Sequence, residues 1–230
     1  DDLLSGFGGR KNATESETDE NRQAAEKDLS QLVEKVKSIQ QTLLATVYGQ
    51  DQAVNTFAEG YFQSELLAMK QKSRRKPRAI FLFAGAPGVG KTFLAEQAAS
   101  QLSLPFRRFD MSEYCEKESN FEFCGMNSAY KSAKEGNVTG FVAKNHKCVL
   151  LFDEIEKAHS VVINLFLQIL DAGRLRDVYT EEEVSFEETI IIFTTNAGKK
   201  LYENASGDSL AGISKKALVK ALADDVNPLT

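Results

Sequence analysis

The sequence has little of what small secreted proteins and metal centres are built on. Among 230 residues there are three cysteines, Cys115, Cys124 and Cys148, and two histidines, His146 and His159. An odd cysteine count without C-x-x-C spacing gives neither a disulfide framework nor a zinc site. Two histidines exclude a His-rich metal centre. Free thiols suit a reducing compartment, so a cytoplasmic location is expected. No secretion signal opens the chain, and it does not begin with methionine, which points to a piece of a longer protein. No apolar run approaches the ~18–20 residues of a membrane helix, so no membrane partner is expected. Basic residues do not predominate either. The 28 Lys plus Arg stand against 33 Asp plus Glu, a net charge of −5, which argues against nucleic acid as the main partner. What is present is ordinary for a globular chain, with 42% apolar and 27% charged residues. That length buries one large core or two small ones.

Residues 1–21 read as a flexible lead-in, with Gly6, Gly8 and Gly9 followed by a polar stretch from Lys11 to Asn21. Residues 22–46 read as an amphipathic helix, because Leu29, Leu32, Val33, Val36, Ile39, Leu43 and Leu44 recur at three- and four-residue steps. Gly49 breaks that pattern, and a second helix is expected from Gln50 to Met69. The cluster Lys70, Lys72, Arg74, Arg75 and Lys76 reads as a solvated linker leading to Pro77.

After Pro77 four apolar runs alternate with longer segments: Ala79 to Ala84, Phe106 to Phe109, Cys148 to Phe152 and Ile190 to Phe193. Runs without alternation suit strands buried on both faces of a parallel sheet. Ile155 to Ala172 is expected to be one helix, stopped by Gly173. The class is α/β.

The first run leads straight into Gly85-Ala86-Pro87-Gly88-Val89-Gly90-Lys91-Thr92, which fits G-x-x-x-x-G-K-[ST] at every fixed position. A polyphosphate is wrapped by backbone N–H groups, in conformations glycine adopts at least cost. A helix starting near Lys91 would turn its positive end to the phosphates. Lys91 would reach the β- and γ-phosphates, and the Thr92 hydroxyl is a hard oxygen suited to Mg²⁺. Phe93 follows directly and is included among the nucleotide-contacting residues.

The run Cys148 to Phe152 ends in Asp153-Glu154, and Ile190 to Phe193 ends in Thr194-Thr195-Asn196. Carboxylates at the end of a buried parallel strand emerge where open α/β folds bind ligands. Asp153 would hold Mg²⁺, while Glu154 would orient or deprotonate a water. Asn196 could lie between the γ-phosphate and that water. Taken singly, the acidic pair is also what a helix start favours, and the asparagine is also plain turn chemistry.

Together these blocks resemble the AAA+ ATPases, and within them the second ATPase module of the Clp/Hsp100 class of protein unfoldases. The resemblance runs from about Val47 to Gly198. It rests on Val47 to Gln50, the phosphate loop, Phe109-Asp110-Met111-Ser112-Glu113-Tyr114, Leu151 to His159, Leu167 to Leu175, and Thr194 to Asn196. It implies the three-layer P-loop NTPase sandwich of an AAA+ large subdomain at residues 47–200, preceded by an N-terminal helix, with 201–230 leading toward a lid. It implies ATP and ADP as ligands with Mg²⁺, Val47 and Tyr48 flanking the adenine, and Asn196 as the polar sensor. It further implies a hexameric ring in the full-length protein, a protein substrate, and room for a protease partner. The stretch Ala129-Tyr130-Lys131-Ser132 stands where the class carries Gly-Tyr-Val-Gly in its substrate-gripping loop, so Tyr130 keeps the aromatic group and the glycines are gone. Neither Arg174 nor Arg176 matches the arginine finger of the class. Two further readings follow from single features: an assembly or regulatory module that binds ATP without threading, from the altered loop, and a DNA-remodelling protein, from the Lys70 to Lys76 charges.

Overall fold

The computed structural model describes residues 11–70, 75–131 and 133–197, with side chains from Gln23 onward. Two long helices, α1 (Lys11–Thr46) and α2 (Asp51–Lys70), precede an alternating series. It runs β1 (Ala79–Ala84), α3 (Lys91–Leu102), β2 (Phe106–Asp110), α4 (Ser119–Cys124), α5 (Thr139–Lys144), β3 (Val149–Asp153), α6 (Ser160–Ala172), β4 (Arg174–Arg176), β5 (Glu183–Ser185) and β6 (Ile190–Thr195).

The main sheet has the order β1-β6-β3-β2, and all three pairings are parallel. Alternate residues leave a strand on opposite faces, and the core divides accordingly. Val149, Leu151, Ile190 and Ile192 pack with α1, α2 and α3. Leu150, Phe152, Ile191 and Phe193 pack with α4, α5 and α6. This is the expected three-layer α/β sandwich. Each of the central side chains, fully withdrawn from water, contributes roughly 1.5–3 kcal/mol. On the second face Phe152 stacks or packs edge-on against Phe109, Phe123, Phe166 and Phe193, with Phe166 at 4.6 Å between ring centres. Among the described residues no helix is long and apolar enough to cross a membrane.

Two helix boundaries and one hairpin differ from the sequence expectation. The first helix begins at Lys11, not near residue 22, so residues 11–21 are helical rather than a loose lead-in. That stretch holds no glycine or proline, and extending an existing helix avoids the cost of nucleating one. Apolar periodicity is not needed for a helix to propagate once it is started. The segment from Ile155 is not one helix. A single 3-10 turn at Ile155–Lys157 is followed by extended backbone at Ala158 and His159 before α6 begins at Ser160. His159 caps α6, its Nδ1 accepting from the Val161 N–H at 3.2 Å. The antiparallel hairpin of β4 and β5 has no counterpart in the sequence expectation. Residues 1–10, Lys72, Arg74, Ser132 and the C-terminal segment 201–230 lie outside the described residues.

Candidate active site

Parallel register brings the strand ends to one edge. Ala84 pairs with Thr195 and Asp110 with Asp153, so the residues that follow β1, β3 and β6 emerge side by side. A cavity of about 340 Å³ opens there, lined by Pro87, Gly88, Gly90, Lys91, Thr92, Phe93, Asp153, Glu154, Thr194 and Asn196.

The phosphate loop spans β1 and α3. Gly88 and Gly90 have φ of +80° and +88°, and a side chain added at either would meet nothing within 4 Å. Left-handed backbone around open space is a cradle suited to a polyanion. Lys91 Nζ donates to the carbonyls of Gly85 and Ala86, at 2.9 and 2.8 Å, and to Asn196 Oδ1 at 2.8 Å. Partial burial lowers the Lys91 pKa, opposed by the nearby carboxylates of Glu156, Asp153 and Glu154.

Asp153 is buried and its carboxylate is fully engaged. Oδ1 accepts from Thr92 Oγ1 at 2.8 Å and from Thr194 Oγ1, and Oδ2 accepts from Arg108 Nη2 at 2.6 Å. Arg108 also reaches Glu96 at 3.2 Å on α3. Among the described residues no cluster of three or more His, Cys, Asp or Glu could cage a metal. Mg²⁺ needs no such cage, since it is usually held by one or two protein oxygens with waters and substrate phosphates. A threonine hydroxyl and a carboxylate in direct contact beside an anion cradle fit it.

Glu154 has φ of +58°, a left-handed conformation that costs a non-glycine residue of order 1 kcal/mol. Its N–H donates to Thr194 Oγ1 at 2.9 Å. Its Oε1 accepts from Asn196 Nδ2 at 2.7 Å, and its Oε2 pairs with Lys157. Asn196 therefore bridges Lys91 and Glu154.

Val47 and Tyr48, expected together at the adenine, are placed differently. Val47 is 2% exposed and packs into the core, whereas Tyr48 is 85% exposed. Next to them Gln50 Nε2 donates to the Val89 carbonyl at 3.0 Å and ties this turn to the phosphate loop. Tyr130 lies away from the cavity, 65% exposed, at the tip of a loop between α4 and α5. Arg174 and Arg176 both pair within the β4–β5 hairpin, with Glu183 and Glu181. Burial pushes the Cys124 and Cys148 thiols up to about 11 and about 12, so neither supplies a thiolate.

Comparison with known families gives a match to the AAA domain (Cdc48 subfamily) over residues 76–227. This chain belongs to the AAA domain family. The match takes in every strand of the sheet and the whole cavity edge. The chain is 39% identical over 224 residues to the ATP-dependent Clp protease ATP-binding subunit ClpE of Lactococcus lactis, covering 88% of this chain and 29% of that protein. It is 42% identical over 182 residues to the chaperone protein ClpB of Clostridium perfringens, covering 77% of this chain and 21% of ClpB. A ClpA homolog protein of Fuscovulum blasticum is 38% identical over 166 residues, 72% of this chain and 20% of its own length. The chain thus spans less than a third of these relatives.

Several residues that shape this AAA domain's cavity were not singled out by sequence reasoning. Arg108, Thr194 and Glu156 reach it from neighbouring strand ends, and only the register shows that they meet Asp153 and Asn196. Asp177, 1% exposed, was missed as well.

Proposed function

We propose that this AAA domain binds ATP with Mg²⁺ and hydrolyses it, as the large nucleotide-binding lobe of a cytoplasmic Clp/Hsp100-type machine that remodels or unfolds proteins in a hexameric ring. The observation that carries the reading is the meeting of Lys91, Thr92, Asp153, Glu154 and Asn196 around one cavity. The names of the relatives, among them an ATP-binding subunit of an ATP-dependent protease and a chaperone, support it. They also make a protease partner part of the proposal.

Each side chain has a role that its chemistry allows. The loop from Gly85 to Thr92 holds the β- and γ-phosphates by backbone N–H groups, with Lys91 adding positive charge where negative charge gathers. Thr92 and Asp153 are the residues to hold Mg²⁺, which when bound neutralises phosphate charge. Glu154 accepts a proton as the water oxygen bonds to the γ-phosphorus and the bond to the β,γ-bridging oxygen breaks, leaving ADP and phosphate. Asn196 orients that water. Tyr48 offers surface to the adenine, with Val47 behind it, and Phe93 borders the phosphates. Tyr130 presses on a threaded polypeptide.

The test uses the full-length protein. Glu154→Gln keeps ATP affinity within a few-fold and lowers turnover by about 10²–10⁴, the usual range for a general base. Turnover that persists in this variant removes Glu154 from that role. A second reading, an assembly or regulatory module that binds ATP without threading, is favoured by the missing glycines in Ala129 to Ser132. Failure of the full-length ring to unfold a tagged, folded reporter in the presence of ATP would select it.

A further inference from the structure

The motif that supplies Asp153 and Glu154 contains a third carboxylate, Glu156, which the proposed chemistry does not use. Its Oε1 accepts from the Asn196 backbone N–H at 3.0 Å. Its Oε2 is buried and has no hydrogen-bond partner among the described residues. A buried carboxylate oxygen left without a partner is costly, and the contact made by the other oxygen of Glu156 offsets part of that cost.

That contact is at the turn where β6 ends. The β6 ladder runs to Thr195, and the Asn196 N–H is the first donor beyond it. The side chain of Asn196 has to span from Lys91 Nζ to Glu154 Oε1, at 2.8 and 2.7 Å, and a side chain bridges two groups reproducibly only from a fixed backbone. Two rungs fix it. Thr194 Oγ1 accepts the Glu154 N–H, and Glu156 Oε1 accepts the Asn196 N–H, so the ends of β3 and β6 are tied in both directions.

We infer that Glu156 is a positioning residue for turnover: it anchors the Asn196 backbone so that the asparagine side chain stays between Lys91 and Glu154, without itself touching nucleotide. The inference rests on the proposed ATPase reading and deepens it. It separates the two acidic residues of the Glu-x-Glu stretch by role, the first acting on water and the second on the chain that carries the sensor.

The experiment compares Glu156→Met, which keeps the side chain's length and removes the acceptor, with Glu156→Gln, which keeps an acceptor. Both are made in the full-length protein. Three quantities are read: ATP turnover, affinity for a fluorescent ATP analogue, and hydrogen exchange of the peptide containing Asn196. Loss of one charge-assisted hydrogen bond predicts that Glu156→Met turns over about tenfold or more slower and exchanges faster by a similar factor, with analogue affinity within about twofold. Glu156→Gln stays within about threefold of wild type on all three. Unchanged exchange in Glu156→Met overturns the anchor, and so does a Glu156→Gln variant as impaired as Glu156→Met. Hydrogen exchange needs no turnover, so it decides the anchor even if the wild-type protein hydrolyses nothing, the outcome that would instead end the ATPase reading.

Discussion

Two loops in this molecule are bounded by glycines, and the glycines do opposite things. In the phosphate loop Gly88 and Gly90 adopt left-handed backbone with nothing within 4 Å of where a side chain would stand. In the loop carrying Tyr130 the flanking glycines are crowded. A side chain at Gly136 would sit 2.2 Å from Thr139 Oγ1 and 2.5 Å from the Phe123 carbonyl, and one at Gly125 would sit 3.0 Å from the Gly136 nitrogen. The first loop is shaped around a space, and the second around a close approach of chain to chain. Outside ties differ too. The phosphate loop is tied outward at four points, by Gln50 on the Val89 carbonyl, the Gly85 N–H on Thr195, Lys91 on Asn196 and Thr92 on Asp153, and its lysine also turns on the loop's own carbonyls. The Tyr130 loop is pinned at its foot by the buried carboxylate of Asp177, which accepts from the N–H groups of Gly136, Tyr179 and Thr180 and from the Thr139 hydroxyl. The Tyr130 loop has a buried, hydrogen-bonded base and an exposed tip.

The comparison breaks most sharply at Lys91. Lys91→Ala removes the positive charge proposed to hold the phosphates and leaves the apolar core untouched. ATP affinity, measured by calorimetric titration, falls about 10–100-fold, the worth of one or two charge-assisted hydrogen bonds. Thermal stability without nucleotide shifts little. Unchanged ATP affinity would remove this loop from nucleotide binding.

Asp177→Ala tests the other loop and has the opposite profile. Its buried donors lose their acceptor, at about 2–3 kcal/mol, so Tm falls by roughly 4–12 °C for a chain of this size. ATP affinity stays near wild type. The pH dependence carries a definite sign. Burial alone would raise the Asp177 pKa, but the Thr139 hydroxyl and the backbone N–H groups of Thr180, Gly136 and Tyr179 outweigh it and hold the carboxyl below its ordinary value. A depressed carboxylate contributes stability above its unfolded pKa of about 3.9, and that contribution is lost as pH falls toward the folded value. The gap in Tm between wild type and Asp177→Ala is therefore widest above about pH 4 and narrows below it. A gap that stays constant with pH would mean that Asp177 acts through packing alone.

How far each loop could be read in advance follows from where its contacts come from. The phosphate loop is a contiguous pattern, so the chain itself carries the geometry, and the Thr92 to Asp153 contact needs only that β1 and β3 end at one edge. The strands were legible too, because Val149 to Phe152 and Ile190 to Phe193 are continuous apolar runs that only a sheet covered on both faces accepts. Contacts made by register were not legible. Arg108 meets Asp153 because β2 lies beside β3, and Asn196 meets Lys91 across 105 positions because β6 lies between β1 and β3. The hairpin that delivers Asp177 is two three-residue strands, too short to show alternation. Residues 11–21 were misjudged because helix propagation needs no apolar face.

The smallest stability effect is expected at Tyr130, and this is what makes it informative. The ring is largely exposed, so its removal costs little buried area, and Tm should change by no more than about 1–2 °C. The loop has internal order independent of the ring: the Tyr130 N–H donates to the Asn127 carbonyl and the Met126 N–H to the Lys134 carbonyl, both at 3.1 Å. Tyr130→Ala therefore leaves fold, ATP affinity and basal turnover in place, and any loss belongs to what the tip touches. In a threading machine the loss appears as slower unfolding of a tagged reporter at unchanged ATP turnover, and Tyr130→Phe restores much of it because the ring rather than the hydroxyl grips. If Tyr130→Ala unfolds the reporter at the wild-type rate, the tip carries no grip, and a hydrogen-bonded base under an exposed tip would then serve contacts between folded partners. Restoring glycine at Ala129 sharpens the distinction. A looser tip should raise unfolding if the loop must move with each turnover, and should leave it unchanged if the loop is a docking surface.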